Sequence, residues 1–336
     1  MRTIKLILSY KDFFEDTPLT IEEYLNGIEK KKLIYYARYY CSLSVQRINS
    51  TTSDIFWAFL NKGDVGKDYY NDLINKISKI VNQTGQIIEY TILNIWTSLK
   101  FFEVVPNIKD TNCDETPDIE IRKRLLKVYL LLNDSVKIPK RDNLEEMILG
   151  NAIVRELYHE SNYPQILLTQ MIKSSLFFEY CEAHLPVHLQ RFRDDFGLNK
   201  WQEYINYLYQ LSKLYFESEY PVMTIFIPKD DIDYEKKVRF INRFCLHEVY
   251  SRDEDFTHIK NSPIIKEGEG YGIIFPLFLY EKIYRSLYFI FKEINEALND
   301  TEFHISNFRS VLGEYFSEKV LLNRILKDSL GKKYKH

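Results

Sequence analysis

Apolar residues recur along this chain at intervals of three and four, the spacing that lines one face of an α-helix. The clearest series is Leu277, Tyr280, Tyr284, Leu287, Phe291, Ile294 and Leu298, which predicts one helix over Pro276–Leu298 with a seam for another helix. Trp201, Tyr204, Ile205, Leu208, Leu211 and Tyr215 form a second stripe and predict a helix over Asn199–Ser218. Similar patterning predicts helices over Lys30–Arg47, from Ser53 or Asp54 to near Asn61, and over Lys67–Asn82, Gln86–Glu103, Leu144–His159, Gln165–His184, Tyr234–His247 and Val311–Leu330. Thr20-Ile21-Glu22-Glu23 reads as a capping box, with Leu19 and Tyr24 placed as a hydrophobic staple and Asn26-Gly27 as the break that follows. Gly85 separates two predicted helices and suggests an antiparallel helical hairpin. Thr116-Pro117-Asp118 starts another helix, running to about Asn133, by pairing a capping hydroxyl with proline and an acid in the first turn. Val222–Ile227, between Pro221 and Pro228, reads as a strand, and Ile264-Ile265 with Ile273-Ile274 as a small hairpin around Glu267–Gly272. The expected fold is mainly α, a multi-helix array or bundle with a small β element around residues 222–227 and 262–275.

The chain has 336 residues, 45% hydrophobic and 28% charged, which is a globular rather than a disordered composition. At about 150 residues per domain this length suggests two. We place them at 1–136 and 144–336, joined by Lys137–Asn143 (KIPKRDN). Cys41, Cys113, Cys181 and Cys245 lie far apart and form no CxxC pair, which argues against a zinc ribbon or disulfide scaffold and fits a reducing cytoplasm. The apolar run in Met1–Tyr10 is too short for a signal peptide, and Glu281, Lys282 and Arg285 interrupt Tyr271–Phe291, so no membrane span is expected. The sequons at Asn49, Asn82, Asn133 and Asn299 are then chance products of an Asn-rich chain. The 26 tyrosines and 22 phenylalanines set against 11 glycines look like the output of an AT-rich genome; the functional alternative is stacking platforms for single-stranded nucleic acid.

Charge refines this picture. The net charge is only −3, yet Ile305–His336 carries seven basic and three acidic residues, and Ile121–Arg141 carries seven basic residues and one acid. Arg122, Lys123, Arg124 and Lys127 in the inner stretch, and Lys332, Lys333 and Lys335 in the tail, are the candidate nucleic-acid contacts; the simpler reading of such runs is a solvated helix face or a frayed terminus. For metal binding the candidates are Cys181, His184 and His188, two of them four apart, although Pro186 between them argues against one continuous helix. No cofactor is expected. Gly268-Glu-Gly270-Tyr-Gly272 lacks the Gly-Lys-Ser/Thr ending of a phosphate loop and reads as a hairpin turn. Glu235-Lys236-Lys237 after Asp230, Asp231 and Asp233 has the residue types of a metal-dependent nuclease, but it leaves no room for a turn between two strands and falls where a helix start calls for acids.

Arg155-Glu-Leu-Tyr-His159 and Arg243-Phe-Cys-Leu-His247 resemble the Arg/His pairs of helical nucleases of the HEPN type, with three intervening residues where that pattern has four to six. An i,i+4 Arg/His pair shares a helix face and suits a phosphate, so these four residues are the catalytic candidates of an alternative nuclease reading. Within Asn261–Lys327, the segments Ser262–Ile265, Tyr271–Ile274, Phe278–Tyr284, Leu287–Phe289, Phe308, Gly313 and Phe316–Lys319 resemble a segment of uncharacterised bacterial proteins similar to phage-defence components, in which a nuclease-like domain follows. The resemblance implies a role in defence and transfers no catalytic residue, since the present sequence ends at His336. The leading expectation is a cytoplasmic, non-catalytic helical protein that binds a protein partner, with nucleic acid as a further candidate ligand, in a defence or nucleic-acid-related complex. A small Arg/His nuclease and a purely structural subunit are the alternatives.

Overall fold

The computed structural model describes residues 4–46, 59, 67–84, 88–105, 108, 117–135, 163–217, 222, 224–246 and 256–299. The protein is mainly helical, with a small three-stranded antiparallel sheet and one pair of parallel strands. It groups into two compact units that are not consecutive in sequence. One comprises Met1–Tyr163, Ser218–Phe226 and Cys245–Phe275; the other comprises Pro164–Glu217, Ile227–Phe244 and Pro276–His336. The expected linker at 137–143 and the expected helices at 144–159 and 311–330 lie outside the described residues.

In the first unit, strand β1 (Ile4–Ile7) pairs in parallel with β2 (Ile88–Thr91), Ile4 opposite Ile88 and Ile7 opposite Thr91. This corrects the helix expected over Gln86–Glu103 and the helical hairpin at Gly85. Ile88, Tyr90 and Thr91 are strand-favouring residues, and their partner strand is more than 80 residues away, so local periodicity carries no sign of the pairing. Between the strands run α1 (Ile21–Leu25), α2 (Lys30–Gln46) and α3 (Lys67–Thr84). The capping box forms as read: Thr20 N–H donates to Glu23 Oε2 at 2.7 Å, and Glu23 N–H to Thr20 Oγ1 at 3.2 Å. The chain breaks after α1, where Gly27 takes the left-handed φ of +80° that favours glycine.

Helix α4 (Ile95–Val104) starts at Asn94, whose Oδ1 accepts from Thr97 N–H at 2.9 Å. It is buried on nearly all sides and packs on α2 and on α5 (Asp118–Ser135). Tyr40, Phe59, Phe101 and Tyr129 form an aromatic cluster at this core, with ring centroids 4.5 to 5.9 Å apart. The sheet of this unit has β3 (Thr224–Ile225) and β4 (Ile264–Glu267) on either side of β5 (Gly270–Ile273), with a short helix α10 (Thr257–Asn261) before β4. The expected hairpin is present, turning through Gly268-Glu269 with Gly268 at φ +59°.

The second unit holds α6 (Tyr163–His184), α7 (Pro186–Phe196), α8 (Trp201–Glu217), α9 (Tyr234–Asn242), α11 (Pro276–Ile283) and α12 (Leu287–Leu298). Trp201, Tyr204, Ile205, Leu208 and Leu211 of the predicted stripe are buried, and α8 packs on α11. The single helix expected over Pro276–Leu298 is two helices. At the break Ser286 N–H bonds back to Glu281 O and Leu287 N–H to Tyr284 O, while Tyr280, Leu287, Phe291 and Ile294 stay buried on either side. The seam therefore survives an interruption that its periodicity cannot show. Helix α9 is likewise shorter than expected, ending at Asn242.

Candidate functional site

Helix α5 opens with Asp118 and Glu120 in its first turn, and the basic residues that follow fall within reach of them. Arg122 Nε donates to Asp118 Oδ2 at 2.7 Å, and its guanidinium lies 5.4 Å from the Tyr36 ring centre. Tyr36 also donates to Asp118. Burial opposes the charge of Asp118, and these two hydrogen bonds outweigh it and hold the carboxyl below its ordinary value. Arg122 is thereby fixed as part of the α2–α5 packing.

Lys123, Arg124 and Lys127 instead line a groove of about 490 Å³ with Leu19, Glu23, Tyr24, Asn26 and Glu120. Helix α1 supplies one wall and α5 the other. Lys123 Nζ reaches Glu120 Oε1 at 2.7 Å and sits 5.4 Å from the Tyr69 ring centre. Arg124 Nη1 donates to Asn26 O at 3.4 Å. The Lys127 ammonium lies over two rings, Phe14 at 4.7 Å and Tyr24 at 5.8 Å. Across the groove, the backbone N–H and hydroxyl of Thr20 hold Glu23 ionised below its ordinary pKa. Both carboxylates of the groove are therefore held by neighbours, Glu23 by Thr20 and Glu120 by Lys123. Three of the four inner basic candidates thus meet at one place.

The other candidates are dispersed. Arg155, His159, His247, Lys332, Lys333 and Lys335 lie outside the described residues. Arg243 follows α9, 3.6 Å from Glu293 and with its guanidinium 5.7 Å from the Phe196 ring centre. Cys181 is buried and its thiol pKa is pushed up by that burial; His184 is exposed against Tyr180; His188 is buried, with Nε2 2.9 Å from Asn295 Oδ1. Pro186 begins a new helix between the two histidines, and no cluster of three or more metal-ligating side chains occurs among the described residues. Around Glu235-Lys236-Lys237 the acids serve local pairing: Lys237 meets Asp231 at 2.6 Å and Lys236 meets Asp233 at 3.5 Å.

Three buried polar groups escaped the sequence reading. Asn133, fully buried at the end of α5, donates to Leu8 O at 2.7 Å and Ile92 O at 3.0 Å, just past the ends of β1 and β2. Its Oδ1 accepts from Asn94 Nδ2 and Thr97 Oγ1. Arg38, 2% exposed, pairs with Glu267 and donates to Ile273 O at 3.3 Å, while Glu267 also accepts from Thr224. Lys282 on α11 is 5% exposed. Its one sequence signal is its place as a charge inside the apolar run Tyr271–Phe291. For Asn133 the local signal, a sequon, points away from burial.

Comparison with protein-family models, with curated proteins and with solved structures returns no match to this chain. No helix among the described residues is long and apolar enough to cross a membrane.

Proposed function

We propose that the chain is a non-catalytic binding protein of a nucleic-acid-related complex, of the bacterial defence kind implied by the resemblance over Asn261–Lys327. In this reading it works in the cytoplasm beside a protein partner and holds single-stranded nucleic acid on its first unit. The observation that carries the reading is the convergence of Lys123, Arg124 and Lys127 on one open groove next to Tyr24. Cations presented at half-buried positions, two of them over aromatic rings, suit phosphate recognition, and the end of a single strand presents such a phosphate beside an unpaired base.

The test is to incubate the full chain with end-labelled single-stranded RNA and DNA at low salt, with and without Mg²⁺. Retention of intact strands is the expected outcome, weakened when Lys123, Arg124 and Lys127 are all changed to Glu. Strand cleavage that disappears in Arg243→Ala or His247→Ala would establish the nuclease alternative instead.

A further inference from the structure

We propose that the groove between α1 and α5 is a site for a nucleoside phosphate, with one phosphate group on Arg124 and Lys127 and the nucleoside lying toward Leu19. The inference rests on reading this groove as a phosphate site, and it narrows the ligand to one that presents a single terminal phosphate. Two sources share that chemistry: a free nucleotide, and the end of a single strand.

Size gives the first limit. A groove of about 490 Å³ lies in the range of small-molecule pockets, roughly 300–1,000 Å³, and has room for a nucleotide. The distribution of charge gives the second. The lining carries three cations and two carboxylates. Glu120 takes Lys123 at 2.7 Å, and Glu23 is committed to the N–H and hydroxyl of Thr20 at 2.7 and 2.8 Å. Arg124 and Lys127 are left with no carboxylate within ion-pair distance among the described residues. Among the described residues Arg124 makes only a long bond to a backbone carbonyl, and Lys127 rests on aromatic faces. They stand three positions apart on α5, where side chains are neighbours about 5–6 Å apart at Cβ, a span that one phosphate can bridge.

The two carboxylates set the third limit. A phosphodiester chain running on through the groove would bring further negative charges against Glu23 and Glu120. A ligand with one phosphate and an uncharged body avoids that cost, and sugar hydroxyls or a base amine can donate to the same carboxylates. Leu19, 53% exposed, supplies an apolar surface for the base.

The experiment is calorimetric titration of the full chain with AMP, adenosine and inorganic phosphate. It is followed by competition of AMP against 5′-phosphorylated and 5′-hydroxyl single strands. AMP is expected to bind, adenosine to fail, and inorganic phosphate to bind more weakly. In Arg124→Gln/Lys127→Gln, with its melting temperature unchanged, AMP affinity should fall by roughly tenfold or more. Displacement of the 5′-phosphorylated strand by AMP would assign the terminal nucleotide of a strand as ligand; AMP binding without strand binding would assign the free nucleotide and remove the polymer reading. Adenosine binding as well as AMP would overturn the inference, and so would tight strand binding that is indifferent to the 5′ phosphate and to AMP, which leaves the strand-binding reading in place. Failure of every ligand would remove both.

Discussion

Asn133 and Lys282 show opposite ways of placing a polar group in a core. Asn133 is fully buried and every polar atom of its side chain is matched, so it ties the carbonyls after β1 and β2 to α4 and α5. Replacing it by Leu takes a donor from Leu8 O and Ile92 O and an acceptor from Asn94 and Thr97, with the 3.4 Å Asn94 Nδ2–Ile92 O bond remaining, and should cost about 3 kcal/mol or more. Urea denaturation reads this directly, and a loss below about 1 kcal/mol would show that the network contributes little. Burial of Asn133 also makes its sequon unusable in the folded chain. Among the described residues Lys282 has no such matching. Burial pulls its pKa down from 10.5 to about 8, against the opposing pull of Glu281 and Glu293, which are themselves paired with Arg285 and Arg243. Below pH 8 the folded state must carry a desolvated ammonium; from pH 8 to 10.5 it holds fewer protons than the unfolded chain, so this group's contribution to stability rises with pH. Lys282→Met should therefore be more stable than the native chain at pH 7, by up to about 3 kcal/mol, with the advantage shrinking above pH 8. An advantage that stays constant from pH 7 to 9.5 would contradict the buried-ammonium account.

At the scale of elements, the hairpin β4–β5 depends on a missing side chain. A Cβ on Gly272 would collide with the Arg38 guanidinium, which crosses the strand to reach Glu267 and Ile273 O. Gly272→Ala should displace Arg38 and lower stability by about 2 kcal/mol, and pairing it with Arg38→Met should recover part of that loss. If the two losses simply add, the collision is not the cause. Local pattern made much of this level legible: the Thr20 capping box, the Gly27 break, the α5 start at Pro117 and the hairpin follow from side-chain chemistry within a few residues. It failed where the determinant is distant or silent. The β1–β2 pairing needs a partner strand more than 80 residues off, and the break at 284–286 keeps its seam residues buried on both sides. The same holds for the groove. The basic run on α5 is visible in sequence, but only the fold separates Arg122, which is spent on Asp118 and Tyr36, from the three residues that face α1.

For the whole molecule, the aromatic abundance resolves mainly into packing. Tyr40, Phe59, Phe101 and Tyr129 fill one unit, and Phe178, Phe192, Trp201, Tyr204 and Phe291 fill the other. The rings tied to the candidate function hold cations rather than a base: Phe14 and Tyr24 lie under the Lys127 ammonium and Tyr69 beside that of Lys123. A net charge of −3 provides no overall attraction to a polyanion, so among the described residues it is this local cluster that would supply it. That makes the salt dependence of strand affinity the most direct measurement. With two cations free to neutralise phosphate, the logarithm of the association constant for a 5′-phosphorylated single strand should fall with the logarithm of salt concentration at a slope of about −1.4. In Arg124→Gln/Lys127→Gln the slope should approach zero as affinity is lost. An unchanged slope and affinity in that variant would contradict the groove as the site of binding.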